Sequence, residues 1–171
     1  VEAVVATYVD GVYISAVTAA LNRLNAVQQV EVLKGPQGTL YGRNTTGGLI
    51  QVTTRNPNST PELDAETGYA NFNTSSAWVY FNAPLTSNIR TNFSIQESQQ
   101  GDGWGRNLTT GHDTYRTDLN LSLRNKWDID LGANTQLQLM FDYERIKELG
   151  FFDERAITGS KDSFGFVENA T

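Results

Sequence analysis

The sequence predicts a fold in two parts: a compact α+β unit, followed by the antiparallel strands of an incomplete transmembrane β-barrel. Up to residue 56, short mixed elements surround a glycine-rich segment. From residue 63 onward, apolar and polar residues alternate over stretches of about ten residues, which is typical of strands with one apolar and one wet face. Pro57 and Pro61 stand among small polar residues between the two regions and indicate a linker.

The first region has clear turn and strand signals. Asp10-Gly11 lies between two β-rich segments, and both residue types tolerate positive φ, so the pair predicts a two-residue hairpin. Thr18 is a suitable cap for a short helix. The glycines between Gly35 and Gly48 allow tight turns and close backbone packing. The predicted elements are strands at Val5–Val9 and Val12–Ile14, a helix at Val17–Leu24, and strands at Val27–Leu33 and Leu49–Thr53.

The second region predicts five strands, near residues 63–72, 76–85, 90–100, 114–127 and 135–147. Odd positions of these strands are mainly apolar and even positions mainly polar, except that Trp78 and Tyr80 fall on the even side. Acidic residues at Asp64, Glu66, Asp118, Asp142 and Glu144 share the even side, which we expect to face inward. The odd-numbered residues expected to face lipid are Leu119, Leu121, Leu123, Leu137, Leu139 and Phe141.

Strand length and connection length favour a membrane barrel over a soluble sandwich. Sandwich strands run about 5–6 residues, whereas a transmembrane strand needs about 9–11. The connections at 86–88 and 129–134 are short, and that at 101–113 is long, as expected for periplasmic turns and extracellular loops. The outward connection near residues 73–75 is unusually short for this pattern.

Five strands cannot close such a barrel, because an open sheet would leave backbone groups unpaired in lipid. We therefore expect the natural chain to continue past Thr171. The first residues have no initiating Met and no basic segment, so an export signal is expected upstream. A transmembrane helix is excluded, since no run of about 18 apolar residues occurs.

Composition excludes several classes of function. The chain has no cysteine, so neither a disulfide framework nor a thiolate metal site is available. The net charge is −6, and the acidic excess lies after residue 56, which argues against a nucleic-acid partner.

Residues for catalysis are also few. His112 is the only histidine, and Asp128 and Asp130 are interpreted as solvated turn residues. The spacing of Gly42 and Gly47 matches a phosphate-binding loop, but Gly48 stands where that loop needs its lysine. We therefore predict no catalytic residue, no cofactor and no metal.

One segment resembles a known family. Val30–Thr54, with the sequence VEVLKGPQGTLYGRNTTGGLIQVTT, is similar to the plug-domain signature of TonB-dependent receptors, and Tyr8–Tyr13 resembles that family's hairpin. Lys34 stands where Arg is commoner, and Gln51 where Asn is common. The resemblance implies that residues 1–56 are the C-terminal half of a plug domain, 57–62 a linker, and 63–171 the first barrel strands with their loops.

The resemblance also implies a function. A plug of this kind blocks a large barrel in the bacterial outer membrane, and TonB, acting through an upstream segment, opens a path for a ligand bound outside. An iron–siderophore complex is the substrate class we expect, with cobalamin, other metal chelates and glycans as alternatives. The expected partners are TonB, a siderophore-like small molecule and outer-membrane lipid. A surface interaction or adhesion module without transport is the competing hypothesis.

Seven residues are the candidate site residues. Tyr13, Ser15 and Thr18 follow the Asp10-Gly11 hairpin, and the resemblance implies that this segment approaches the outward apex of the plug. Trp104 lies in the long connection and is a further candidate ligand contact. The residues expected to make charge pairs between plug and barrel are Glu31, Lys34 and Arg43.

Overall fold

The computed structural model describes residues 5–14, 25–41, 45–106 and 111–149. These residues form a four-stranded sheet, a five-stranded sheet and a two-stranded ribbon. None of the helical residues in these ranges belongs to a helix long and apolar enough to cross a membrane. The predicted helix Val17–Leu24 lies outside the described residues.

The four-stranded sheet, here called the plug sheet, contains β1 (Val5–Val9), β2 (Val12–Ile14), β3 (Val27–Lys34) and β4 (Gly48–Thr54) in the order β2-β1-β4-β3. β1 pairs antiparallel with β2 and parallel with β4. The predicted hairpin is confirmed, because Asp10 and Gly11 have φ values of 49° and 81°. The apolar core of this sheet is small, and its buried residues are Ala6, Val9, Leu49 and Val52.

The glycine-rich segment between β3 and β4 folds back on itself. The Gly35 amide donates to the Gly47 carbonyl at 3.2 Å, and the Gln37 amide donates to the Thr45 carbonyl at 2.9 Å. One helical turn, α1 (Gly38–Tyr41), lies within the loop that these two bonds close. The chain turns back from β3 into β4 so closely that the backbones of the two segments approach each other. A residue without a Cβ fits best at such a place, so glycine is favoured there.

The five-stranded sheet, here called the strand sheet, confirms all five strands predicted after residue 62. Every neighbouring pair is antiparallel, and the spatial order follows the chain. The long connection between its third and fourth strands carries the two-stranded ribbon, β8 (Gly105–Arg106) and β9 (Asp113–Thr114). The five strands are β5 (Glu62–Ala70), β6 (Thr74–Thr86), β7 (Ile89–Gln100), β10 (Arg116–Gly132) and β11 (Thr135–Leu149).

The prediction that Asp128 and Asp130 are solvated turn residues is wrong. β10 runs on to Gly132, and the turn to β11 is formed by residues 133 and 134. Asp128 is buried and accepts a hydrogen bond from Gln138 Nε2 at 2.9 Å, and Asp130 pairs with both Nη atoms of Arg90 at 2.8 and 3.0 Å. These bonds compensate the poor strand propensity of aspartate.

The short connection between β5 and β6 is a tight turn centred earlier than predicted. Phe72 and Asn73 have φ values of 59° and 55°, and the Thr74 amide donates to the Asn71 carbonyl at 3.3 Å. Positive φ at both central positions defines a type I′ turn, which matches the twist of the flanking strands. The Phe72 ring stacks on Trp104, with ring centroids 5.9 Å apart, so this turn packs against the longer connection.

The alternation of the strands separates two faces of the strand sheet. The six residues predicted to face lipid share one face, on which Phe141 is 60% exposed and Leu137 is 39% exposed. The other face carries buried polar residues and lies against the plug sheet. Tyr80 belongs to this buried face and is 1% exposed, which explains why it breaks the apolar alternation of β6. The buried polar residues of this face are Asn82, Asn92, Ser94, Ser122, Arg124, Lys126 and Asp128.

Candidate functional site at the contact of the two sheets

Lys126 of β10 joins the strand sheet to the plug sheet. Its ammonium Nζ lies 3.1 Å from Asp10 Oδ1, and it donates to the Thr54 carbonyl at 3.3 Å and to Asn56 Oδ1 at 3.0 Å. An ammonium group has three donors, and here each of them has an acceptor. Because the side chain is 3% exposed, these partners replace the water that it loses. These four residues are called the Lys126 cluster.

Asp10 is placed for this contact by the hairpin turn that it begins. Its Oδ1 accepts from the Thr54 amide at 2.9 Å and its Oδ2 from the Thr54 hydroxyl at 2.7 Å, while the Asp10 amide donates to the Val52 carbonyl at 2.9 Å. The carboxylate therefore closes the end of β4 and meets Lys126 at the same time. Asp10, an aspartate in a positive-φ turn, thus links the β1–β2 hairpin, the end of β4 and the strand sheet.

Asn25 forms a second contact between the sheets. It is 1% exposed, its Nδ2 donates to Ser122 Oγ at 3.0 Å, and its Oδ1 accepts from Ser94 Oγ at 3.3 Å. Its backbone carbonyl accepts from Arg124 Nη1 at 3.4 Å. Arg124 in turn donates through Nε to Asp142 at 2.7 Å, which neutralises a guanidinium that is only 3% exposed. Both polar ends of the Asn25 amide are therefore satisfied by the strand sheet.

Arg55 forms a third contact, directly after β4. Its Cζ lies 4.6 Å from the centroid of the Tyr80 ring and 5.9 Å from that of Trp78, and its guanidinium forms an ion pair with Asp64. Its carbonyl accepts from Asn92 Nδ2 at 2.8 Å. The two aromatic rings hold the guanidinium by cation–π attraction, while the carboxylate supplies the opposite charge.

The linker is held by a side chain of the strand sheet. Asn82 is fully buried, its Nδ2 donates to the Thr60 carbonyl at 2.6 Å and to the Asn58 carbonyl at 3.1 Å, and its Oδ1 accepts from the Asn58 amide at 3.1 Å. The amide thus pairs with backbone groups that have no strand partner of their own. Residues 58–60 are consequently fixed against the inner face of β6.

A cavity of about 380 Å³ lies between the two sheets, beside these contacts. Its lining is mostly polar and includes Asn25, Arg55, Glu66, Trp78 and Gln96. The contact between the sheets is therefore interrupted by a space large enough for several water molecules.

The chemistry of the contact suits reversible separation. Hydrogen bonds and ion pairs can be exchanged for bonds to water, whereas separation of a large apolar contact would expose apolar surface. The two sheets are therefore held by many modest polar contacts that water can replace. Within the described ranges, no group of three or more histidine, aspartate or glutamate residues could hold a metal ion.

The structure places the predicted ligand contacts in different units. Tyr13 lies on β2, is 40% exposed, and its ring centroid is 5.6 Å from that of Tyr8. Trp104 lies in the connection between β7 and β10, is 71% exposed, and stacks on Phe72. Ser15 and Thr18 lie outside the described residues. Ligand contact by these four residues remains a prediction.

The predicted charge pairs remain predictions as well. Glu31 and Lys34 are exposed on β3, the outer strand of the plug sheet, where Gln29 Nε2 donates to Glu31 at 2.9 Å. Arg43 lies outside the described residues. In the described part of the chain, the ion pairs that join the first region to the strand sheet are instead Lys126–Asp10 and Arg55–Asp64.

Sequence reasoning missed Lys126, Asn25 and Arg55 as contact residues. A signal for the first was present, since Lys126 stands on the even side of β10 beside Arg124 and so carries positive charge on the face predicted to point inward. Asn25 had no such signal, because its role depends on the positive φ of Ala26 (50°) and on residues about 70 and 97 positions away.

Comparisons with known proteins agree with this architecture. Residues 2–49 match the family model described as the TonB-dependent receptor plug domain. The pesticin receptor of Yersinia pestis is 36% identical over 109 residues, which are 64% of this chain and 16% of that protein. The vitamin B12 transporter BtuB of Vibrio vulnificus is 32% identical over 101 residues, which are 56% of this chain and 16% of that protein. The chain thus spans about a sixth of the length of these curated relatives.

A solved structure is similar in fold and in sequence. The ferric yersiniabactin uptake receptor FyuA from Yersinia pestis superposes with a TM-score of 0.62 and 32% identity, over 74% of this chain and 20% of that one. Over residues 2–49 the chain carries the plug domain of the TonB-dependent receptor family, a family of transport receptors. Its location is the bacterial outer membrane.

Proposed function

We propose that this receptor takes up a scarce nutrient across the outer membrane with energy delivered through TonB, and that the nutrient is an iron–siderophore complex. In this proposal residues 1–56 are the C-terminal half of the plug, 57–62 a linker, and 63–171 the first barrel strands with their loops. The exposed apolar face of the strand sheet meets lipid, and the polar face surrounds the plug.

The observation that carries the proposal is the polar contact between the two sheets. Transport needs a plug that closes the barrel at rest and moves when pulled. The Lys126 cluster, Asn25 and Arg55 each hold the plug sheet by bonds that water can replace, and a polar cavity beside them already separates part of the contact. A pulling force therefore has to break polar bonds one group at a time and does not have to expose a large apolar core.

The substrate class rests on the relatives. FyuA, a receptor for ferric yersiniabactin, shares 32% identity with this chain, and its ligand is an iron–siderophore complex by name. Exposed aromatic side chains at Trp104 and Tyr13 offer stacking surfaces for a ligand with planar iron-binding groups.

Uptake in a defined strain tests the proposal. The full-length gene is expressed in a host that lacks its own siderophore receptors, and growth on each of a panel of purified ferric siderophores is measured under iron limitation. We expect growth on at least one siderophore, lost when the host's tonB gene is deleted. Growth that persists without TonB, or no growth on any siderophore from a receptor present in the outer membrane, contradicts the proposal.

Cobalamin is the second candidate substrate, because the vitamin B12 transporter BtuB is 32% identical to this chain over 101 residues. The same strain made dependent on external cobalamin separates the two substrates. Rescue by cobalamin at nanomolar supply, together with no growth on ferric siderophores, would assign the receptor to cobalamin.

A further inference from the structure

The chain that leaves the plug sheet crosses the strand sheet along one row of three side chains. Asn82 of β6 is the cross-strand partner of Asn92 of β7, and Asn92 is the partner of Lys126 of β10. Cross-strand partners share a face, so the three side chains stand side by side on the buried face, about 5 Å apart from one strand to the next. Each of these three strands has a neighbouring strand on both sides. The three residues are called the polar row.

Two members of the polar row bind the backbone where β4 ends. Lys126 Nζ donates to the Thr54 carbonyl at 3.3 Å, and Asn92 Nδ2 donates to the Arg55 carbonyl at 2.8 Å. Both Lys126 and Asn92 are buried. A backbone carbonyl that leaves a sheet loses its strand partner, and here buried donors of the strand sheet take the place of that partner.

The third member, Asn82, holds the next stretch of backbone through both ends of its side-chain amide. Its Nδ2 donates to the carbonyls of Asn58 and Thr60 at 3.1 and 2.6 Å, and its Oδ1 accepts from the Asn58 amide at 3.1 Å. The Asn58 side chain adds two bonds, since it accepts from the Thr60 amide at 2.7 Å and donates to Glu62 at 3.0 Å. The two prolines of the linker have no amide hydrogen, so they add no donor that needs a partner.

The two ends of the polar row hold different parts of the chain. Lys126 pairs with Asp10 at 3.1 Å, so its contact includes a residue of the plug hairpin. Each hydrogen bond of the Asn82 side chain reaches residues 58–60, which follow the plug sheet in the chain. A movement of the plug sheet away from the strand sheet would therefore break the Lys126–Asp10 pair and leave the bonds of Asn82 intact.

The bonds of Asn82 also limit how far the plug sheet can move while it stays folded. Asn58 follows Thr54, the last residue of β4, by four positions, and four extended residues span at most about 14 Å. Without these bonds the free chain would run from Thr54 to Glu62, where β5 begins, and eight extended residues span about 28 Å. The contact at Asn82 thus halves the length of chain on which the plug sheet is tethered.

We propose that Asn82 is a fixed attachment of the linker and Lys126–Asp10 a releasable one, so that the plug sheet moves about residues 55–57 while residues 58–60 stay on β6. This inference rests on the proposed function, because it describes how the plug moves during uptake. In this scheme Asn82 is a positioning residue, which acts by holding the linker and not by contact with the transported nutrient.

Hydrogen exchange of the purified full-length receptor tests the order of release without substrate or TonB. The amide of Asn58 donates to Asn82 Oδ1, and the amide of Asp10 donates to the Val52 carbonyl within the plug sheet. Exchange of both amides is measured over a series of urea concentrations below global unfolding. We expect the Asn58 amide to stay protected at urea concentrations at which the Asp10 amide exchanges freely. Loss of protection at both amides together, or at Asn58 first, would overturn the proposal.

A matched pair of variants assigns the protection to Asn82. Asn82→Leu removes its hydrogen bonds, each of which contributes about fivefold, so exchange of the Asn58 amide should rise by at least about tenfold. The Asp10 amide should keep its protection in urea-free buffer, which shows that the variant is folded. Asn88→Leu, the same change in the exposed turn after β6, should alter neither amide. An Asn58 amide that exchanges equally in wild type and Asn82→Leu would contradict the role of Asn82.

Reducible cross-links test whether the attachment is kept during uptake. The 171 residues contain no cysteine, so each cross-link can be placed singly with a short thiol-reactive reagent. One variant combines Asn58→Cys with Asn82→Cys, and the other combines Asp10→Cys with Lys126→Cys. Uptake of a ferric siderophore is compared in the same cells before and after reduction of the cross-link. The first cross-link should leave uptake unchanged, because it replaces a contact that is not broken, whereas the second should abolish uptake until it is reduced.

The outcomes of the cross-linking experiment are distinct. A cross-link between positions 58 and 82 that blocks uptake as fully as the one between positions 10 and 126 would overturn the proposal, and so would unchanged uptake with both. A wild-type receptor that takes up no substrate would refute the proposed function. The exchange measurement, which needs no substrate, would then decide by itself whether the linker is held more firmly than the plug sheet.

Discussion

Replacing Lys126 by methionine should loosen the plug more than any exposed substitution. Methionine preserves most of the buried aliphatic volume but removes the charge and its three donors. Asp10 would keep its bonds from the Thr54 amide and hydroxyl, but its carboxylate, 10% exposed, would lose its counter-charge. Breaking a buried pair from one side costs about 3–5 kcal/mol, and the surviving Thr54 bonds place the expected loss near the lower limit.

A double-mutant cycle isolates the pair itself. Asp10→Asn strands the Lys126 ammonium, which retains the Thr54 carbonyl and Asn56 as neutral acceptors. The double variant leaves neither charge unpaired, so its loss should be smaller than the sum of the two single losses by at least about 1 kcal/mol. Lys147→Met is the matched control, because it makes the same chemical change on the opposite face of the same sheet.

Two measurements report the position of the plug. The first is killing of receptor-expressing cells by a glycopeptide antibiotic too large for general porins, and the second is the unfolding temperature of the purified full-length receptor. Lys126→Met should increase killing and lower the unfolding temperature, and the double variant should recover part of both. If Lys126→Met and Lys147→Met behave alike in cells with equal receptor levels, the Lys126 cluster does not hold the plug.

Three further predictions address other contacts. Asn25→Leu leaves the hydroxyls of Ser94 and Ser122 without their shared partner and should lower the free energy of unfolding by about 2 kcal/mol. The loss is measured by unfolding in urea, with Asn88→Leu in the exposed turn as the control. Gly48→Ala should prevent correct assembly, measured as loss of receptor from outer-membrane fractions, since φ is 151° and a Cβ would lie 2.6 Å from the Leu33 carbonyl oxygen. Trp127→Phe removes the indole donor that satisfies Asn125 Oδ1 at 2.6 Å and should cost about 1 kcal/mol, whereas no change in unfolding would show that the bond contributes little.

Sequence reasoning predicted the strand sheet well because its alternation is a local and repeated signal. Each strand keeps one apolar and one polar face, so parity is preserved over the whole region. The predictions that were wrong concern residues whose local preference was outweighed by bonds to a neighbouring strand. Asp128 and Asp130 were predicted in a turn, but Gln138 and Arg90 supply the bonds that keep them in β10. The bulge between Thr117 and Leu119 follows from register, which the periodicity of one strand does not contain.

The plug sheet was predicted from turn chemistry, and its contacts were not. Asp10-Gly11 forms the expected hairpin, because positive φ at both positions is a local requirement. The bond from Asp10 to Lys126 joins residues far apart in sequence, and no local pattern encodes it. Lys34 was expected to pair charges because it flanks the glycine-rich motif. Like Glu31, it is exposed on the edge strand β3, and charge pairing by these two residues remains a prediction.

The strand sheet reverses the usual distribution of polar and apolar residues, and this reversal connects its fold to the proposed transport. Its buried face is polar, and its exposed face carries Phe81, Phe93 and Phe141. In water, the exposed apolar area would drive aggregation, whereas in lipid the same area holds the strands in place. The polar face then needs partners that are not lipid. The plug sheet and the residues that follow it supply them through backbone carbonyls and a few side chains, so the two sheets satisfy each other by groups that water can also satisfy. A wall lined with apolar residues would bind the plug permanently, and a wall without Lys126 and Arg124 would leave the plug's carbonyls unbonded at rest.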